Sequence, residues 1–192
     1  MSNISMLYPA QLRAQFRLTT YVETGCFLGR SLRLAQQAGF GDLLSCDICE
    51  RYVLQCRKRF PGARIVHGDS LSMLRRCLPT RMGGPALFWL DAHFPATFGL
   101  PETAANRYPL PHELELIRTL RRGWQHDVIA MDDLRVIRDR RNPRWRPGEL
   151  RGRHAACYQD ITLAELCQPF QATHEIALLQ QAEGVALFLP RA

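Results

Sequence analysis

Short apolar runs alternate with helix-forming segments from Thr19 to Asp133, and few architectures can accommodate that alternation. The strand-like runs are 19–24 (TTYVET), 42–47 (DLLSCD), 63–68 (ARIVHG), 85–92 (PALFWLDA) and 126–133 (HDVIAMDD). Helical segments at 31–39, 50–60, 69–78 and 111–122 separate them, with Gly39, Pro61 and Gly123 as stop signals. The fourth run is apolar throughout, as in a strand covered on both faces. Strands spaced by helices pair in parallel through right-handed crossovers. A lead-in helix at 9–17, opened by Pro9, occupies the segment 1–18. After an arginine-rich loop at 135–158, a short helix at 160–167 precedes the runs 173–179 and 184–190, joined by QQAEG as a hairpin. The expected fold is α/β and Rossmann-like. It has a mostly parallel seven-stranded sheet, a C-terminal antiparallel hairpin and helices on both faces, in one domain over 1–192.

No apolar run approaches the roughly 18 residues of a membrane span. The N-terminal residues lack the basic head and apolar stretch of a secretory signal, so the cytoplasm is the expected address. The net charge of +7 raises the question of nucleic acid, but Lys58 is the single lysine among 25 basic residues. Such a skew fits a codon-composition bias better than a phosphate-binding surface. Eight arginines fall between Arg135 and Arg153. The favoured reading is a solvated loop. A nucleic-acid surface and an anion-binding lid over a site stand beside it. Seven cysteines is an odd number. Cys46 and Cys49 lack a second pair or a His pair at zinc spacing, so the cysteines read as reduced and packed as small hydrophobes.

In open parallel sheets, ligands bind beyond the carboxyl ends of the strands. The first such end reads Glu23-Thr24-Gly25-Cys26-Phe27-Leu28-Gly29-Arg30-Ser31. Its glycines permit a tight turn before a helix N-terminus. The pattern departs from G-x-G-x-x-G, and an acidic residue two places before the glycine suits a cationic group better than a pyrophosphate. Both features speak against a nicotinamide-dependent oxidoreductase. Asp47 follows Gly25 by 22 residues, near the offset of a ribose-binding carboxylate. Asp69 and Ser70 end the third run, as a nucleobase contact or a helix cap. Asp91 and His93 end the fourth run, and Asp132 and Asp133 the fifth.

From Tyr21 to Asp133 the chain resembles class I S-adenosylmethionine-dependent methyltransferases. Its motifs are similar to those of a bacterial group marked by VETG, GDS, FWLDAH, HELE-type and IDDAR-type segments. Here these are Val22–Gly25, Gly68–Ser70, Phe88–His93, Pro111–Glu115 and Met131–Arg135. The resemblance implies that Glu23, Gly25, Gly29 and Ser31 hold the methionyl part of S-adenosylmethionine, Asp47 the ribose, and Asp69 with Ser70 the adenine. Asp91 then touches the cofactor.

Asp91, Asp132 and Asp133 end adjacent strands, where carboxylates can converge on a hard cation such as Mg²⁺. Metal-dependent O-methyltransferases of the catechol and macrolide-sugar types carry ligands at these strand ends. Cofactor contact for Asp91 and capping for Asp132 are the alternatives. His93 is the candidate general base, with a ligand role or the orienting of Asp91 as alternatives. Trp89, Phe88 and Leu90 are read as core, and Phe94, Phe98 and Tyr108 as lining of an acceptor pocket. Solvent exposure is the favoured reading for Glu113 and Glu115, with Glu113 facing the site as the alternative. The implied activity is O-methylation of a small hydroxyl compound such as a sugar or secondary metabolite; under the anion-lid reading, the arginine-rich loop would clamp a phosphate or carboxylate on the acceptor. The absence of an N/D-P-P-aromatic signature at the fourth strand argues against methylation of base amines. A non-catalytic protein binding RNA or an acidic partner through that loop is the competing class.

Overall fold

The computed structural model describes residues 4–80, 84–100, 102–103, 107–149 and 159–191. Its strands are β1 (Thr20–Thr24), β2 (Asp42–Asp47), β3 (Arg64–His67), β4 (Ala86–Leu90), β5 (Val128–Met131), β6 (His174–Leu179) and β7 (Val185–Pro190). They form one sheet in the order β3-β2-β1-β4-β5-β7-β6. The pairs β1–β2, β1–β4, β2–β3 and β4–β5 are parallel. Strand β7 inserts antiparallel between β5 and β6. Parallel pairing brings the carboxyl ends of β1 to β5 to one rim of the sheet, and the β6–β7 turn reaches that rim as well.

Alternation along the strands splits the core into two layers. Val22, Leu44, Phe88, Leu90, Ile129 and Met131 face one side, against α4 (Ser70–Cys77), α5 (Leu110–Leu120) and α6 (Leu163–Cys167). Tyr21, Leu43, Leu87, Trp89 and Val128 face the other, against α1 (Pro9–Gln15), α2 (Arg30–Gln37) and α3 (Glu50–Arg59). Both faces of the sheet are therefore covered, as the apolar run through β4 implies. Trp89 is fully buried, and truncating it to Ala would remove about 3–5 kcal/mol of stability.

Two local expectations are corrected. The fifth helix ends at Leu120 rather than running to residue 122. Arg121 turns extended there because its guanidinium is drawn to buried Asp127, with Nε 3.1 Å from Oδ2, and donates to the Gly84 carbonyl at 2.6 Å. The described part of the arginine-rich loop is not simply solvated. Asn142 is buried and its amide donates to the carbonyls of Leu134 and Ile137 at 2.6 and 3.0 Å. Asp139 accepts from the Leu163 N–H at 3.1 Å, tying the loop to α6.

Candidate active site

The turn after β1 is fixed from below: the N–H groups of Gly25 and Cys26 both donate to the Cys46 carbonyl, at 3.0 and 2.8 Å. Gly25 has φ +85°, and a Cβ there would lie 2.9 Å from the Asp91 carbonyl oxygen. The glycine thus lets the tips of β1 and β4 close on each other. Gly29, at φ +72°, carries the Phe60 ring where a Cβ would stand. Its missing side chain serves helix packing, a role that spacing alone does not reveal. Glu23 is fully buried, accepting from the Tyr21 hydroxyl and the Ser45 hydroxyl at 2.9 Å each. Burial pushes its carboxyl up to about 8, against the pull of those two donors. Ser31, in the first turn of α2, has its hydroxyl beside the Tyr21 phenol.

Asp47 closes the other side of this turn. Its oxygens accept from the N–H groups of Phe27 and Cys49 at 2.8 Å each. A carboxylate oxygen has two lone pairs, so each retains room for a ligand hydroxyl. Asp69 caps α4, accepting from the Ser72 N–H at 2.8 Å and the Ser72 hydroxyl at 2.7 Å. Burial would raise its carboxyl, and those bonds outweigh it and hold the group below the usual range.

Beside Ser70 lies Glu113, which solvent was expected to reach. It is 1% exposed, whereas Glu115 is exposed and pairs with Arg118. Burial pushes the Glu113 carboxyl up to about 7, opposed by the hydroxyls of Ser70 and Thr24. Oε1 of Glu113 and the buried Tyr108 hydroxyl make no hydrogen bond among the described residues. Tyr108 precedes α5 and Glu113 sits in its first turn, so the helix start carries both toward the rim. The spacing of these two residues around Pro109 was the available signal.

At the tips of β4 and β5 the side chains converge. His93 Nε2 is 2.6 Å from Asp133 Oδ2 and 3.5 Å from Asp91 Oδ1. Arg135 Nε donates to Asp133 Oδ1 at 2.6 Å. Burial works against protonation of His93, and the bond and charge of Asp133 overcome it, lifting the imidazole to about 9. At neutral pH this histidine is a donor to carboxylates, not a free base. Asp133 is held below its usual range by His93 and Arg135 despite burial. Asp91 accepts from Trp89 Nε1 at 3.3 Å and keeps a third of its side chain exposed, while burial of the carboxyl and the Asp132 charge push it up. Asp132 is 4% exposed beneath them. Phe94 stacks on Tyr108 with centroids 5.9 Å apart, and His93 packs edge-on against Phe94 at 4.6 Å. The side chain of Phe98 lies outside the described residues.

Phe27, Phe94 and Asp133 have φ of +43°, +54° and +61°, strained values for non-glycine residues. All three stand just beyond the tips of β1, β4 and β5. Strain of this kind collects at functional sites.

The three-aspartate metal centre does not fit this arrangement. Both oxygens of Asp133 are engaged by cationic donors, His93 and Arg135. Among the described residues no group of three His, Cys, Asp or Glu side chains is arranged to hold a metal ion. Three arginines of the loop are committed to carboxylates: Arg135 to Asp133, Arg138 to Asp160, and Arg144 to Glu149. Arg151 and Arg153 lie outside the described residues.

The chain is similar in fold to solved structures of methyltransferases. The fold is that of class I methyltransferases. The SAH-bound methyltransferase PaMTH1 of Podospora anserina aligns with a TM-score of 0.64 at 14% identity, over 100% of this chain and 80% of that one. The O-methyltransferase of Bacillus cereus in complex with SAH gives 0.59 at 13% identity, over 100% and 82%. TomG of Streptomyces achromogenes, an O-methyltransferase in complex with SAM, gives 0.56 at 15% identity, over 96% and 78%. At these identities the likeness is one of fold. No family model and no curated protein matches the sequence. Among the described residues no helix is long and apolar enough to cross a membrane.

Proposed function

We propose that the chain is an S-adenosylmethionine-dependent methyltransferase acting on a hydroxyl group of a small acceptor such as a sugar or secondary metabolite. The observation that carries this reading is the gathering of Glu23, Asp47, Asp69, Ser70, Asp91 and His93 at one rim of a sheet with the methyltransferase strand order. The chemistry such a cofactor supplies is an electrophilic methyl group on a sulfonium centre.

The residues fit that ligand by chemistry. Asp47 presents acceptors for two ribose hydroxyls while its N–H donors hold it still. Glu23 stiffens the floor through Tyr21 and Ser45, beneath the turn bounded by Gly25 and Gly29. Ser31 supports Tyr21 from the following helix, and Ser70 with Asp69 borders the adenine side. Asp91, with a third of its side chain exposed beside His93, faces the reacting centre, and Phe94 with Tyr108 forms the apolar wall for the acceptor. His93 donates to Asp133 and orders the tips of β4 and β5; removal of the acceptor proton by His93 requires the imidazole to release its own proton first. Assistance by Mg²⁺, expected from Asp91, Asp132 and Asp133, has no step here, because His93 and Arg135 already neutralise Asp133. An anionic acceptor would have to engage arginines other than Arg135, Arg138 and Arg144.

Calorimetric titration of S-adenosylmethionine and S-adenosylhomocysteine into folded, cofactor-free protein tests the reading. Micromolar binding of both is the expected result. No heat for either, with and without Mg²⁺, would overturn it.

A further inference from the structure

Two thiols lie under the turn that the proposed methyltransferase site depends on. Cys26, in the turn itself, is 3% exposed, and Cys56, from the second half of α3, is fully buried. Both sulfurs donate to one acceptor, the Phe27 carbonyl, at 3.9 and 3.5 Å. Each thiol lies near enough to the other to shift its titration. Cys56 Sγ lies 3.0 Å from where a Cβ on Gly29 would stand, so the pair fills the space between the turn and α3. The remaining described cysteines are placed differently: Cys77 and Cys167 belong to the opposite core layer, Cys46 lies within β2, and the partly exposed Cys49 stands at the N-cap of α3.

We propose that Cys26 and Cys56 are a redox modification site, forming a reversible disulfide that closes the cofactor turn onto α3. Its effect on ligand binding rests on the methyltransferase reading; the bond itself does not. A disulfide holds its sulfurs about 2.05 Å apart, so forming it draws both in from their places around the Phe27 carbonyl. Forming it draws Cys26 toward α3 and pulls on the next residue, Phe27, whose N–H holds Asp47 at 2.8 Å. The asymmetry of the pair supplies a nucleophile. The neighbouring Cys26 lowers the Cys56 thiol, with burial and the Asp47 charge opposing and Arg59 assisting, while Cys26 itself is pushed up. The oxidant is a hydroperoxide. Cys56 thiolate attacks one oxygen, an S–O bond forms and the O–O bond breaks. The departing hydroxide takes the proton that Cys56 gave up, leaving as water. Cys26 sulfur then attacks the sulfenic sulfur, and the second oxygen leaves as water with the Cys26 proton. Two thiols lose two electrons to one peroxide. Access requires the turn to open at Phe27 and Leu28, where Leu28 is 45% exposed and Phe27 is held at positive φ.

The experiment oxidises the full chain with hydrogen peroxide, blocks remaining thiols, digests with trypsin without reductant and identifies linked peptides by mass spectrometry. Cleavage after arginine places Cys26 in peptide 18–30, Cys56 in 52–57, and Cys46 with Cys49 in 34–51. The expected product links 18–30 to 52–57, disappears with dithiothreitol, persists in Cys49→Ser and is lost in Cys56→Ser. In parallel, oxidation lowers S-adenosylhomocysteine affinity roughly tenfold or more, and reduction restores it. A link through 34–51, or no link while Cys49 oxidises, overturns the site. A 26–56 link with unchanged affinity overturns its effect on the turn. Reduced protein that binds no S-adenosylhomocysteine while forming the link would sink the methyltransferase reading and leave the disulfide site standing.

Discussion

His93 donates from Nε2 to Asp133 Oδ2 across 2.6 Å, and the pair ties the tip of β4 to the tip of β5. Asp133 also receives Arg135, so its carboxylate balances two cationic donors in a nearly closed setting. Asp133→Asn removes that charge and leaves both donors poorly matched. Breaking a buried pair in this way costs about 3–5 kcal/mol. Urea unfolding should show a midpoint lowered accordingly, and an unchanged midpoint would mean that the pair does not form. Because the carboxylate is already engaged, Mg²⁺ and EDTA should leave the thermal midpoint of the wild-type protein where it is.

Glu23 and Glu113 give the protein a stability that falls with rising pH. Both carboxyls are raised by burial, Glu23 to about 8 and Glu113 to about 7. A carboxyl with a raised folded value binds its proton more tightly when folded. Its contribution is fully present below the unfolded value near 4.5 and is lost as pH climbs through the folded value. The window is thus about 4.5 to 7 for Glu113 and about 4.5 to 8 for Glu23. Glu23→Gln and Glu113→Gln cannot ionise and should flatten the slope, each gaining a few kcal/mol relative to wild type at pH 8–9 over the difference at pH 5. Chemical denaturation across that range reads the effect. Parallel curves for wild type and both variants would refute it.

The strands were legible in the sequence because each is a short apolar run between turn residues, and β2 occupies the expected residues 42–47. The carboxylates at the strand tips were legible too, since their position follows from strand direction. Partnership was not. Spacing puts Asp91, Asp132 and Asp133 at one rim, but cannot say that His93 and Arg135 approach closely enough to occupy Asp133. Glu113 shows the same limit: as the only acid in the first turn of an amphipathic helix it resembles a solvated group, and the packing of α5 against α4 buries it. The end of α5 differs because side-chain partners compete for Arg121, Asp127 six residues on and the distant Gly84 carbonyl.

Gly29 connects turn geometry to packing. Its φ of +72° disfavours other residues, and a Cβ would stand 2.7 Å from Phe60 Cε2. Gly29→Ala therefore meets both backbone strain and a ring, and should destabilise by about 2–4 kcal/mol. Phe60→Leu leaves space beside the turn, so in the double variant the clash term should shrink to the contact with Cys56 Sγ at 3.0 Å while the backbone term remains. A double-variant cycle by thermal or urea unfolding would show a coupling of about 0.5–3 kcal/mol. Strict additivity would place the whole effect in the backbone.

Arg144 separates a structural arginine from a binding one. Its guanidinium holds Glu149 at two points, 2.6 and 2.7 Å, and donates from Nε to the Ala182 carbonyl at 2.6 Å. The aliphatic stem sits against Gly184 in the β6–β7 turn, where no side chain could intervene. Arg140 and Arg141 are exposed on the same loop. Arg144→Ala should cost about 1.5–3 kcal/mol, the range for hydrogen bonds to charged groups. The Arg140→Ala/Arg141→Ala variant should stay within about 0.5 kcal/mol of wild type, as surface changes do. Differential scanning calorimetry distinguishes the two. If instead the paired substitution lowered the midpoint as far as Arg144→Ala, the loop would be held by its outer arginines, and the anchoring by Arg144 would be the wrong account. Fluorescence anisotropy with a short RNA adds a second discrimination: a salt-dependent affinity abolished by Arg140→Ala/Arg141→Ala would assign those two residues to nucleic acid, whereas an affinity that they leave unchanged removes the loop from that role.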